Sequence, residues 1–260
     1  MTDTTLSQPT ASLGVGSIIG ESFSILLKHF IQVVIVGFVP NLIGFLISGL
    51  LVGFGAALGI QPQEFTGPGS AVANVLSILV SMVVYSITTA LLVQLAYDAK
   101  LSRPVQLGRY FGPALSAVVP LAILSIVVSI LVGIGLVLLV VPGLWVYAVF
   151  AVMAPAVVIE RAGFGGLGRS KYLTKEYRWP ILGALVLAII CATIINIVAL
   201  FVVGLVASAG SIGMVIGIIL FAAISTVGAG FLSILVALIY VRLREIKEGV
   251  SVDQIASVFD

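Results

Sequence analysis

The chain has 260 residues, of which 61% are hydrophobic and only 8% charged, with a formal net charge of +2. Soluble domains carry roughly 25% charged residues because their surface faces water. This composition therefore excludes a soluble globular protein and requires an exterior that faces mostly lipid; the mean hydropathy of +1.31 agrees.

Residues 1–13 are polar and contain no Lys or Arg, so they lack the basic start of a signal peptide and read as a flexible cytoplasmic tail. Next, Ile19, Phe23, Leu26 and Phe30 recur at helical spacing opposite Glu21, Ser24 and Lys28. That pattern suits a helix lying in the headgroup layer, and equally the inner end of the first span. Four charge-free stretches follow: Phe30 to Gln63, Phe65 to Tyr97, Tyr110 to Ile159 and Pro180 to Val241. At about 1.5 Å per residue and a hydrocarbon core about 30 Å thick, the first two hold one span each and the last two hold two each. Turn chemistry around Pro62 and Gly67-Pro68-Gly69 separates spans one and two. Pro142-Gly143 is the natural break between spans three and four, and the segment from Ala207 to Ser211 that between five and six. The expected fold is all-α, with six transmembrane helices near 31–56, 71–97, 112–141, 143–159, 180–206 and 212–241, in a membrane domain over 14–244.

The basic residues give an independent check. Lys28 precedes span one, and Lys100, Arg103 and Arg109 lie between spans two and three. Arg161, Arg169, Lys171, Lys175 and Arg178 lie between four and five, and Arg242, Arg244 and Lys247 follow six. With six spans all of these share one side, which the positive-inside rule makes cytoplasmic, so both termini are expected there. Ile19-Gly20-Glu21-Ser22 resembles Leu167-Gly168-Arg169-Ser170, and Leu107-Gly108-Arg109 shares part of it, which suggests three units of interfacial helix plus two-span hairpin. Residues 245–260 read as a cytoplasmic amphipathic tail, in which Gly249 ends one helix and the capping box Ser251 to Gln254 starts another.

Uncharged polar side chains populate span two (Asn74, Ser77, Ser81, Tyr85, Ser86, Thr88, Thr89, Gln94) and span five (Thr193, Asn196). Bonding across helix interfaces is their commoner role, and lining a polar cavity is the alternative. Gly49 with Gly53 and Gly213 with Gly217 are spaced for close helix approach. Pro40 and Pro155 are expected to bend spans one and four. The lone Cys191 reads as an inert apolar-facing residue. No ionisable residue lies well inside a span, which argues against a proton-coupled carrier. With a single His29 and no carboxylate cluster, no metal site, cofactor or catalytic residue is expected. Glu21, Asp98 and Glu160 are the candidates if the chain is an interfacial enzyme.

The loop after span four is the most distinctive segment. It runs Pro155-Ala156-Val157-Val158-Ile159-Glu160-Arg161, then Leu167-Gly168-Arg169-Ser170-Lys171-Tyr172-Leu173-Thr174-Lys175, then Trp179. This loop and the tail from Tyr240 to Gly249 resemble the membrane domain found N-terminal to some bacterial glycerophosphoryl diester phosphodiesterases and in many stand-alone proteins. The resemblance implies a six-span domain in a bacterial cytoplasmic membrane and carries no activity with it, since the catalytic barrel has no counterpart here. Read physically, Arg169, Lys171, Lys175 and Arg178 set a basic face at the inner leaflet, each worth about 1 kcal/mol toward anionic lipid. Trp179 is an interfacial anchor, and Glu160 can pair with Arg161 or Arg169. Together with Ser170 these form the expected contact site for lipid headgroups or a protein partner, a second copy of the chain included; no nucleic acid is expected. The leading functional reading is a non-catalytic scaffold, regulator or lipid-associated component. The second is a permease for a small solute or lipid, and the third an interfacial enzyme.

Overall fold

The computed structural model describes residues 12–57, 61–62 and 67–249. The predicted tail residues 1–11, Glu64 and the second tail helix, with its capping box, lie outside the described residues. Ten α-helices and no strand occur among those described.

Helix α1 (Val15–Lys28) ends at His29, whose φ of −110° and ψ of 26° interrupt the helix for one residue before α2 (Phe30–Val52) begins. The first interfacial segment is thus a helix of its own. Its buried stripe is Ile18, Ser22, Ile25 and Leu26, one step round from the predicted one, and Phe23 leans on Phe231 with ring centroids 4.4 Å apart. Short α3 (Phe54–Ala57) follows a turn at Gly53, where φ is +88°. Gly53 is therefore a turn residue rather than part of a packing face.

Helix α4 (Pro68–Lys100) starts with Pro at a position whose N–H has no helical partner anyway, while Ser70 accepts a 3.1 Å bond from the Gly67 N–H. Helix α5 (Leu107–Leu138) and α6 (Val140–Val149) are joined by Leu139 alone, in extended geometry. The break falls before Pro142-Gly143 because Pro142 fits the first turn of a helix, and because Gly135 and Gly143 let the two backbones meet. Span four is itself broken at residues 150–152 and resumes as α7 (Met153–Ile159), with Pro155 in its first turn.

A 3-10 turn at Gly163–Gly165 leads into α8 (Gly166–Thr174), the second interfacial helix. The segment opening with Leu107 forms no separate helix and is simply the start of α5. Helices α9 (Arg178–Ala207) and α10 (Ser211–Glu248) complete the bundle, and Gly249 ends α10 in the left-handed region at φ 65°. The expected tail thus begins inside α10, four residues before its end.

Six helical segments are long and apolar enough to cross a membrane: Phe30–Val52, Pro68–Lys100, Leu107–Leu138, Val140–Ile159, Arg178–Val206 and Ser211–Glu248. The chain is a multi-pass, all-α membrane protein, with α2 against α4, α5 against α6 and α9 against α10 as hairpins. Every described charged residue sits at one end of the bundle. The packing is uneven in the same direction. Leu92, Leu95, Ala156, Leu173, Ile181, Leu235 and Tyr240 are fully enclosed toward the charged end. At the other end Leu50, Val137 and Ile212 are 80%, 88% and 75% exposed, as lipid-facing side chains must be.

Candidate functional site

At the charged end, Glu160 closes span four and faces Arg169 on α8. The Arg169 guanidinium donates to both carboxylate oxygens, Nε to Oε2 and Nη2 to Oε1, each at 2.7 Å. Tyr240 on α10 donates to the same Oε1 at 2.6 Å. Arg169 also pairs with Glu248, and Glu248 accepts from Arg244 at 2.8 Å. One α10 face, with residues four apart, thus meets span four and α8 in a closed ring of opposite charges. The bonds to Glu160, foremost, and to Glu248 hold Arg169 more firmly cationic than an ordinary arginine, against the opposing effect of its burial. Such a ring fixes geometry better than it stabilises, because desolvation offsets much of its attraction.

Beside it, Ser170 donates to the carbonyl of Val149 at 2.9 Å, and the single Thr174 hydroxyl proton is shared between that carbonyl at 3.1 Å and the Ser170 carbonyl at 2.9 Å. The Val149 carbonyl is left without a helical donor by the break after α6, so α8 caps the broken span. The expected contact site therefore divides. Glu160, Arg169 and Ser170 are internal and hold the fold, whereas Lys171, Lys175 and Trp179 face outward. Arg178 lies over the Trp145 ring at 5.3 Å, and Trp145 in turn meets Trp179 edge-on. Arg161, the alternative partner for Glu160, is exposed and in the left-handed region at φ 54°.

The other candidate acids are also occupied. Glu21 takes Lys100 at 2.6 Å, and Asp98 accepts the Tyr110 hydroxyl at 2.8 Å. Exposed Glu176 takes Lys247 at 2.8 Å, a bond that holds its carboxyl below the usual range.

The second feature is a cavity of about 730 Å³ between α2, α4, α5, α10 and the break in span four, open along a flank where Ile78, Ser81, Tyr85 and Ser129 are exposed. It runs from Ala56 and Ala57 of α3, at the charge-poor end, past mid-bundle to Leu92, Val93 and Val236. Among the described residues no ionisable acid or base lines it; the titratable groups on its wall are the phenols of Tyr85 and Tyr147. Toward the charged end it is closed by the enclosed layer of Leu95, Ala96, Val152, Ala156 and Ile239.

Its polar lining departs from what helices normally do with hydroxyls. In an apolar setting a Ser or Thr usually donates to the carbonyl four residues back. Ser81 does so at 2.9 Å and Ser86 at 2.8 Å. On α4, however, Ser77, Thr88 and Thr89 make no hydrogen bond among the described residues. The same holds for Ser125 and Ser129 on α5, for Ser48 on α2 and for Ser233 on α10. The Thr88 oxygen is buried as well as unpartnered.

The polar residues of span two are thus mainly cavity wall. Interhelical bonding, the expected role, is realised at Gln94, which donates to the Tyr110 carbonyl at 3.2 Å. Asn74 bonds its own helix. The reason is geometric: a cavity separates α4 from its neighbours just where its hydroxyls cluster. Sequence reading missed the contributions of Ser125 and Ser129, four apart on α5, and of Ser233 on α10, which are sparse hydroxyls in long apolar helices. It also missed Trp145, which an aromatic search of span four would have found. No protein-family profile matches the chain, and no match was found among curated proteins or solved structures.

Proposed function

We propose that the chain is a permease that takes a small uncharged solute into the bundle and across the membrane. The single observation that carries this reading is the hydroxyl-lined cavity, free of charge among the described residues, that reaches from the charge-poor end past mid-bundle. Ligand sites in membrane bundles sit between helices near the midplane, where broken helices and small polar side chains accommodate them. Here the break in span four borders the cavity through Phe150, Ala151 and Ala154. The charged end faces the cytoplasm in this reading, in a bacterial cytoplasmic membrane, with both termini inside.

Flux through the purified protein in sealed vesicles tests the proposal. The panel covers neutral solutes, zwitterions, monovalent ions and fluorescent phospholipids. Protein-dependent movement of a neutral solute without ion leakage is the expected result. No flux across the whole panel overturns it.

A second reading, a scaffold that docks a partner or anionic lipid at the cytoplasmic face, is favoured by exposed Lys171, Lys175 and Trp179. Its test is reproducible co-purification of a protein or lipid that is lost in Lys171→Glu/Lys175→Glu. An unchanged co-purification profile removes it.

A further inference from the structure

Resting on the permease reading, we infer that the cavity's ligand is a neutral polyol, either a sugar alcohol or a small sugar. A free hydroxyl both donates and accepts, so a wall of them complements a solute whose own groups do the same. Ser125 on α5 and Ser233 on α10 supply such groups from two different helices, and Ser77 and Thr89 add more along α4. From Ser77 to Thr88 the α4 wall is about 17 Å long at the helical rise per residue. The unbonded hydroxyls are therefore spread along the cavity's length rather than gathered at one point. This suits a solute that carries a hydroxyl on most of its carbons.

The apolar part of the wall agrees. A polyol alternates O–H groups with C–H faces, and Phe45, Tyr147, Leu121 and Val128 give the C–H faces something to lie against. Ions and zwitterions fit poorly. The wall offers no opposite charge, and a charged group taken out of water without a partner is costly. A purely apolar molecule would leave the hydroxyls without partners, which is the penalised arrangement for buried polar groups.

The off-cavity comparison is Thr193. It too makes no hydrogen bond among the described residues, but it is exposed on α9, which contributes no residue to the cavity wall. It is therefore the control for hydroxyl loss as such.

The test uses the full chain in vesicles of phosphatidylethanolamine and phosphatidylglycerol. Xylitol, sorbitol and glucose entry is followed by light scattering, with glycine betaine and a fluorescent phospholipid as comparators. Binding is read separately, as protection against heat in detergent by the same solutes. The inference expects saturable polyol entry that falls about tenfold in Ser125→Ala/Ser233→Ala, a loss in keeping with two hydrogen bonds. Thr193→Val is expected to match the unaltered protein. Movement of betaine or phospholipid without polyol overturns the ligand class and leaves the permease reading standing. Polyol protection without any flux supports the ligand class and overturns the permease reading. Neither flux nor protection overturns both, and polyol flux identical in the double variant overturns the assignment to these hydroxyls.

Discussion

Glu160 and Arg169, nine residues apart, face each other as a two-pronged pair, with both short prongs at 2.7 Å. Through this pair the end of the broken fourth span is tied to the interfacial helix α8, and the Tyr240 bond extends the tie to α10. Glu160→Gln keeps the size and removes the charge, leaving Arg169 and Arg244 with only Glu248 to share. Hydrogen bonds to charged groups contribute about 1.5–3 kcal/mol each, and this site is about one-fifth exposed. The expected loss is about 2 kcal/mol, read from the thermal midpoint in detergent. Glu176→Gln removes an exposed carboxylate that meets Lys247 at the surface, and is expected to move the midpoint much less.

Two hydroxyls can donate to the Val149 carbonyl, Ser170 at 2.9 Å and, when it turns from the Ser170 carbonyl, Thr174 at 3.1 Å, so either one alone satisfies it. Ser170→Ala or Thr174→Val alone is expected to cost under about 1 kcal/mol, because the other hydroxyl still satisfies the carbonyl. Together they orphan it, and the expected cost is about 2–3 kcal/mol, more than the two single losses added. A double-mutant cycle on the unfolding midpoint measures this, and strict additivity would show that the two hydroxyls act independently.

Helices α2 and α10 touch where a Cβ on Gly37 would meet the methyl group of Thr226. Gly37→Ala is therefore expected to destabilise by about 1–3 kcal/mol, as overpacking does in a close-packed interior. Thr226→Ser removes that methyl but keeps the hydroxyl that donates to Ala222 at 2.7 Å and accepts from Asn41 at 3.3 Å. In the Thr226→Ser background the cost of Gly37→Ala should largely vanish.

The single histidine sits at the α1–α2 junction, where burial foremost and then Lys28 push its pKa below the ordinary 6.5. Its Nδ1 is buried without a partner. Because the folded state holds the proton less tightly than the unfolded chain, the stability it contributes is complete above about 6.5 and is lost as pH falls. The loss levels off once pH is below the folded value. His29→Gln should remove this component from the pH profile of the unfolding midpoint between 7 and 5.

Span number and the clustering of charge at one end were legible in the sequence because both follow from a sum over many residues. Long charge-free stretches fix the spans, and Lys28, Arg109, Arg161 and Arg242 each fall at the same end. The Glu160–Arg169 pair was also legible, since an acid ending one span and a cation opening the next helix share a level in the membrane. The cavity was not. It arises from four helices whose hydroxyls, such as Ser125 and Ser233, lie more than a hundred residues apart, and spacing in one helix cannot reveal what another places opposite. The fine breaks at Leu139 and at 150–152 were hidden for a related reason. Pro142 and Pro155 mark the region of a break but are tolerated in the first turn after it, so each sits just beyond the residue that yields.

Permeation requires that water reach the cavity from the charge-poor end, while the enclosed layer of Leu95, Val152, Ala156 and Ile239 closes it toward the charged end. A Cys191→Ala background with Ser77→Cys, at a buried position on the cavity wall, tests this directly, using a membrane-impermeant methanethiosulfonate reagent on oriented vesicles. Thr193→Cys, on the exposed surface of α9, serves as the lipid-facing control. Ser77→Cys is expected to be modified from the charge-poor side, protected from the charged side, and modified much faster than Thr193→Cys. Modification from the charged side, or none from either, would contradict it.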